Sequence, residues 1–241
     1  MKGKTVRKRV LTVAAALVVA AAMGGYYYLN NSYAADAAAV EALEEADVVT
    51  EDVVIFASEE PEAGLVFYPG GKVEYLAYAP LLNALAREGI ACVLPRMPFD
   101  LAVLDMDAAR DARARLPEIK RWYLGGHSLG GAMAAAHAAE CAGEYEGLIL
   151  LAAYSTEDLN KSGMKVISLY GSEDKILNMD QYRVCRSNLP EDALELVLEG
   201  GNHAQFGSYG PQEGDGTPGV TPEEQIVWTA EIICEEIIGN K

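Results

Sequence analysis

The stretch Gly126-His127-Ser128-Leu129-Gly130-Gly131 constrains this chain more than any other. It sets a serine between glycines at a sharp strand-to-helix turn, where the backbone on either side approaches too closely to leave room for a Cβ. Gly126 and Gly130 meet that requirement. Arg121 to Gly125 reads as a buried strand leading in, and Ala132 to Ala138 as a strong helix leading out. A bare G-x-S-x-G occurs by chance in many chains, so its specificity comes from this strand, elbow and helix context. The bland alternative is a glycine-rich turn without chemistry.

The rest of the chain alternates apolar strands with helices. Strands are predicted at 53–56, 64–68, 90–94, 148–151, 166–170 and 194–198, and helices at 75–87, 105–116 and 180–188. A last helix opens at Thr221-Pro222-Glu223-Glu224, with Thr as N-cap, Pro at the first position and Glu closing a capping box. This alternation implies an α/β fold, a mostly parallel central sheet with helices on both faces. Only a short polar stretch, Ser155 to Met164, separates two of the late strands, too little for a large lid domain.

A serine hydroxyl needs a base, and the base needs an orienting acid. The chain has three histidines. His127 adjoins the nucleophile and points elsewhere if Ser128 faces the site, and His137 lies on the following helix. His203 follows a predicted strand, at the carboxyl edge where open α/β sheets place their sites, and is the favoured base. Asp174, after the preceding strand, is the favoured acid, with Glu173 its nearest rival and Glu157 or Asp158 weaker ones. For the oxyanion, Leu129 supplies the N–H after the nucleophile, and the loop after an early strand supplies a second donor, Gly71 ahead of Lys72 or Gly70.

The N-terminus is basic through Arg9 and then apolar to Met23, with Ser32-Tyr33-Ala34 beyond it. We read 1–35 as an export signal or membrane anchor, 36–50 as a helical connector and 51–241 as one domain. Either reading of the first segment puts the domain outside the cytoplasm, secreted or tethered to the membrane through that segment. The net charge of −17 argues against nucleic acid as a partner. The four cysteines show no C-x-x-C pair and no zinc pattern. Buried free thiols are the preferred reading, with Cys185–Cys234 the first disulfide to test.

The runs Phe67 to Val73, Met97 to Ala102, Gly126 to Gly131 and Asn202 to Phe206 resemble the compact bacterial "alpha/beta hydrolase family 5" type, and the resemblance covers the chain from about Val53 onward. It implies the α/β-hydrolase fold, a triad at Ser128, Asp174 and His203, and no metal or organic cofactor. It implies no particular substrate. Dienelactone hydrolases resemble the chain less well, because their nucleophile is a cysteine. The residues themselves point to an ester hydrolase, with amides or thioesters less favoured, acting on a small molecule or on acyl groups of a surface polymer. An acyltransferase with the same triad and a non-catalytic binding module are the alternatives.

Overall fold

The computed structural model describes residues 18–20, 23–26 and 31–239. The chain divides into two compact units, Met1–Ser32 and Tyr33–Lys241. In the first, the described residues 18–20 and 23–26 are helical. Most of the segment read as a signal or anchor lies outside the described residues. Among the described residues, no helix is long and apolar enough to cross a membrane.

The second unit is built on one eight-stranded sheet. In chain order its strands are β1 (Val48–Val49), β2 (Val53–Phe56), β3 (Ala63–Tyr68), β4 (Ile90–Pro95), β5 (Trp122–His127), β6 (Gly147–Leu151), β7 (Lys165–Gly171) and β8 (Leu194–Leu198). The helices are α1 (Ala37–Ala42), α2 (Ala79–Arg87), α3 (Ala108–Arg113), α4 (Leu129–Glu140), α5 (Met179–Cys185) and α6 (Pro222–Ile238). The spatial order is β1-β2-β4-β3-β5-β6-β7-β8. The β1–β2 and β2–β4 pairs are antiparallel and all others parallel.

Alternate residues of each strand feed two separate cores. Leu65, Phe67, Tyr123, Ile149 and Ile167 pack with α2 and α6 on one face. Val66, Tyr68, Leu124, Leu148 and Val166 pack with α3 and α4 on the other. Because both faces are covered, the central strands are apolar throughout rather than alternating, which is why they stand out in the sequence as continuous runs.

This order positions the site. From β3 the chain crosses to β4 on one side and then to β5 on the other, so the connections after β3 and β5 diverge at their carboxyl ends. Such a switch point leaves a crevice at that edge of the sheet. The Gly70-Gly71 loop leaves β3 there, and Ser128 leaves β5 there.

Three features differ from the expectations. The helix expected over 105–116 is ordered as α3 only between Ala108 and Arg113, since Asp105 and the residues around Leu116 make isolated turns instead. A short strand, β1, adds to the sheet edge next to β2. Residues 36–50, expected as a connector, lie in the same compact unit as the sheet. Tyr33 bridges Val73, Glu74 accepts a hydrogen bond from the Ala35 N–H (2.8 Å), and Ala39 is fully buried. An Ala/Glu-rich composition gave no sign of that docking, because small alanines pack closely without a wide apolar stripe. The four cysteines are free, two of them buried and two half-buried.

The α6 capping box forms as read: Thr221 Oγ1 accepts from the Glu224 N–H (3.2 Å), while Glu224 accepts from the Thr221 N–H (2.8 Å). The Thr221→Ala variant should lose about 1 kcal/mol of stability. Urea denaturation checks this, with an unchanged m-value and a lower midpoint as the expected outcome.

Candidate functional site

Ser128 connects β5 to α4 with φ 51° and ψ −121°, a conformation that costs a non-glycine residue about 1–3 kcal/mol. The local packing enforces it. A Cβ on Gly130 would lie 2.2 Å from the Pro69 carbonyl oxygen and 2.3 Å from that of Tyr68, and one on Gly126 would lie 2.6 Å from the Gly130 carbonyl carbon. The start of α4 is therefore pressed against the end of β3, and only glycine permits it. The Ser128 N–H is bonded to the Leu151 carbonyl (2.9 Å), which ties the elbow to β6.

The β7 and β8 edges supply two further expected residues, and these meet. His203 Nδ1 lies 2.9 Å from Asp174 Oδ2, and both side chains are almost fully buried. The other carboxylate oxygen, Oδ1, accepts the N–H groups of Ile176 and Leu177, each at 2.8 Å. Because the carboxylate accepts on both oxygens, the His203 proton sits on Nδ1 and its Nε2 presents a lone pair. Glu173, Glu157 and Asp158 do not occupy this place. Asp158 instead accepts hydrogen bonds from its neighbour Asn160, which hold its carboxyl below the usual range.

Gly71 and Leu129 are also brought together. A Cβ on Gly71 would lie 2.9 Å from Leu129 Cδ2 and 3.2 Å from Leu129 Cβ. The three candidate donors of this loop differ in one respect: the Gly70 N–H donates to Tyr78 Oη (2.9 Å) and the Lys72 N–H to the Asp100 carbonyl (2.8 Å). Among the described residues, the Gly71 and Leu129 N–H groups donate no hydrogen bond.

His137 is buried between Asp107 and Tyr145, 3.1 Å from each, on the α3 face away from this edge. It packs and does not approach the site. His127 is buried with its Nδ1 2.8 Å from Tyr78 Oη and its ring 4.5 Å, centroid to centroid, from that of His203.

Two residues that hold the His203 loop had not been singled out from the sequence. Gln225 of α6 is fully buried and bonds the Asn202 backbone on both sides, Oε1 to its N–H (3.0 Å) and Nε2 to its carbonyl (2.9 Å). Asp215 accepts from the Ala204 N–H (2.9 Å) through Oδ2 and from the Lys175 N–H (3.2 Å) through Oδ1, joining the His203 loop to the Asp174 loop. Gln225 had a legible signal, a glutamine on the inward stripe of an amphipathic helix. Asp215 had none, since it lies among glycines and prolines of an irregular stretch.

Among the described residues, no group of three or more His, Cys, Asp or Glu side chains is arranged to hold a metal ion.

A sequence model described as "Alpha/beta hydrolase family" matches residues 64–227. No curated protein matches the chain. Solved structures share the fold at low identity. Est1E from Butyrivibrio proteoclasticus is 12% identical, with a TM-score of 0.57 over 78% of this chain and 94% of its own. An alpha/beta hydrolase enzyme from a sediment metagenome of the lagoon of Mar Chica, Morocco, is 14% identical, with a TM-score of 0.57 over 79% and 98%. The esterase domain of a Rhodothermus marinus protein is 14% identical, with a TM-score of 0.57 over 76% and 90%.

The elbow packing makes Gly130→Ala a severe change. The clash is with backbone, which cannot rotate away, so the loss should reach about 3 kcal/mol or more. A thermal melt checks it, the expected outcome being a large drop in midpoint or failure to accumulate folded protein.

Proposed function

The chain belongs to the alpha/beta hydrolase family, and from that premise we propose that it is a serine hydrolase cleaving a carboxylic ester through an acyl-enzyme, with Ser128, His203 and Asp174 as its triad. The observation that carries the reading is the buried Asp174–His203 pair, set at the same sheet edge as a serine held in a strained elbow.

In the proposed cycle, Ser128 Oγ attacks the ester carbonyl carbon while His203 Nε2 takes the hydroxyl proton. The carbonyl oxygen becomes an oxyanion and receives hydrogen bonds from the Leu129 and Gly71 N–H groups. Their lack of a partner among the described residues supports this assignment over Gly70 and Lys72, whose N–H groups are committed elsewhere. Collapse breaks the ester C–O bond, the His203 proton passes to the leaving alkoxide, and the alcohol departs. Water then attacks the acyl-enzyme, giving its proton to His203, and the carboxylic acid is released with the proton returned to Ser128 Oγ. Asp174 holds the tautomer and offsets the imidazolium charge throughout.

The rim suggests the character of the substrate. Phe99, Val103, Leu104 and Met106 are all exposed on the loop that leaves the carboxyl end of β4. This loop is joined to the Gly71 loop by the Lys72–Asp100 hydrogen bond, and residues 102–104 pack against α4. An apolar acyl or alcohol group would lie along it. Beyond the domain, the basic and apolar N-terminal segment supports action outside the cytoplasm, on small esters or on acyl groups of a surface polymer.

Steady-state hydrolysis of p-nitrophenyl esters tests the triad. Asp174→Asn should lower kcat by roughly 10⁴-fold while leaving the melting temperature near that of the parent; near-normal turnover would remove Asp174 from the role. Over a series of acyl chain lengths, Phe99→Ala should raise KM severalfold for the longer chains and leave acetate unaffected. A uniform effect across the series would place the substrate elsewhere.

A further inference from the structure

The catalytic reading makes no use of His127 or Tyr78, although both are buried beside the site. Tyr78 is fully buried, and burial pushes its phenol well above the ordinary range. It therefore carries its single proton, which needs an acceptor. Its oxygen already accepts the Gly70 N–H (2.9 Å), and the group left to receive its proton is His127 Nδ1, at 2.8 Å. Nδ1 of His127 is thus an acceptor, and the ring proton lies on Nε2.

His127 Nε2 is itself buried and, among the described residues, has no partner within hydrogen-bond geometry, although the His203 backbone lies nearby. Burial first, and then the neighbouring His203 ring, hold the His127 pKa well below the ordinary histidine range, so it stays neutral. The surrounding groups agree with a neutral ring: Tyr78, Phe206 and His203 are its ring neighbours. Space around the junction is minimal. A Cβ on Gly70 would lie 2.7 Å from both His127 Nδ1 and Tyr78 Oη.

We infer that Tyr78 and His127 are positioning residues, a buried relay in which Gly70 N–H donates to Tyr78 and Tyr78 O–H donates to His127 Nδ1. The relay sets the orientation of the loop that presents the Gly71 N–H and fixes the ring on which the His203 imidazole rests. This rests on the serine hydrolase reading. Two consequences for the reaction follow from the geometry. Commitment of the Gly70 N–H to Tyr78 turns the next peptide so that Gly71 supplies the oxyanion donor. A neutral ring 4.5 Å from His203 also lets His203 become an imidazolium during the reaction, where a charged neighbour would oppose the proton transfer.

The experiment has two arms. In the first, the histidine ring nitrogens of ¹⁵N-labelled Ser128→Ala protein are observed by long-range ¹H–¹⁵N NMR. The expected result is His127 as the neutral Nε2–H tautomer, unprotonated at every pH at which the protein stays folded. An Nδ1–H tautomer or a protonated His127 would overturn the relay. This arm needs no turnover and is independent of the catalytic reading. In the second, Tyr78→Phe, His127→Leu and His127→Asn are compared by ester hydrolysis and fluorophosphonate labelling rate. Tyr78→Phe and His127→Leu should each lower kcat by roughly ten- to a hundredfold, less than loss of an oxyanion donor itself, with KM within about twofold. His127→Asn, which keeps an acceptor near the Nδ1 position, should recover most of kcat. Unchanged kcat in Tyr78→Phe would overturn the positioning role, as would parallel losses in Leu and Asn variants that remain folded. Absence of esterase activity and labelling in the parent protein would instead overturn the serine hydrolase reading, leaving the tautomer result to decide the relay.

Discussion

The close approach of the α4 N-terminus to the end of β3 is the constraint on which the rest of this molecule depends. Gly130 lies where any side chain would meet the Tyr68 and Pro69 carbonyls, and Gly126 where any side chain would meet the turn that follows it. Bringing two segments of backbone this close forces Ser128 into a conformation that serine ordinarily avoids. The cost is borne by the surrounding sheet, where β5 is paired on both sides in parallel register and Ser128 itself is bonded to β6. The same contact sets Leu129, the residue after the serine, beside Gly71.

Around that contact the polar groups are arranged so that each loop has a fixed orientation. Asp174 accepts three hydrogen bonds, two from backbone and one from His203. Gln225 and Asp215 bind the backbone on either side of His203. Tyr78 does the same for Gly70. Buried polar networks of this kind are costly when incomplete and restrict conformation when satisfied. They leave few degrees of freedom for the His203 loop or for the Gly71 loop.

Much of this was legible in the sequence, for specific reasons. The central strands are covered on both faces, so Leu148 to Leu151 appears as an unbroken apolar run, and Val166 to Leu169 as one interrupted only by Ser168. The elbow was legible because its glycines are sterically obligatory, and the place of His203 because its loop follows the strand that ends at Leu198 and so leaves the carboxyl edge of the sheet. The docking of residues 33–46 on the domain was not legible, since it rests on backbone hydrogen bonds from Tyr33, Ala35 and Asp36 to distant loops and on small alanines. Nor was the place of His127: its position beside Ser128 implied that it points elsewhere than the site, yet its ring packs 4.5 Å from that of His203 and its Nδ1 meets Tyr78, forty-nine positions earlier.

The central claim is that Ser128 is an activated nucleophile, and intact-mass spectrometry after brief exposure to a fluorophosphonate tests it most directly. The account predicts one covalent adduct per folded chain, mapped by peptide fragmentation to Ser128 and lost in Ser128→Ala. A folded protein that gains no adduct, or gains one at another residue, would contradict it.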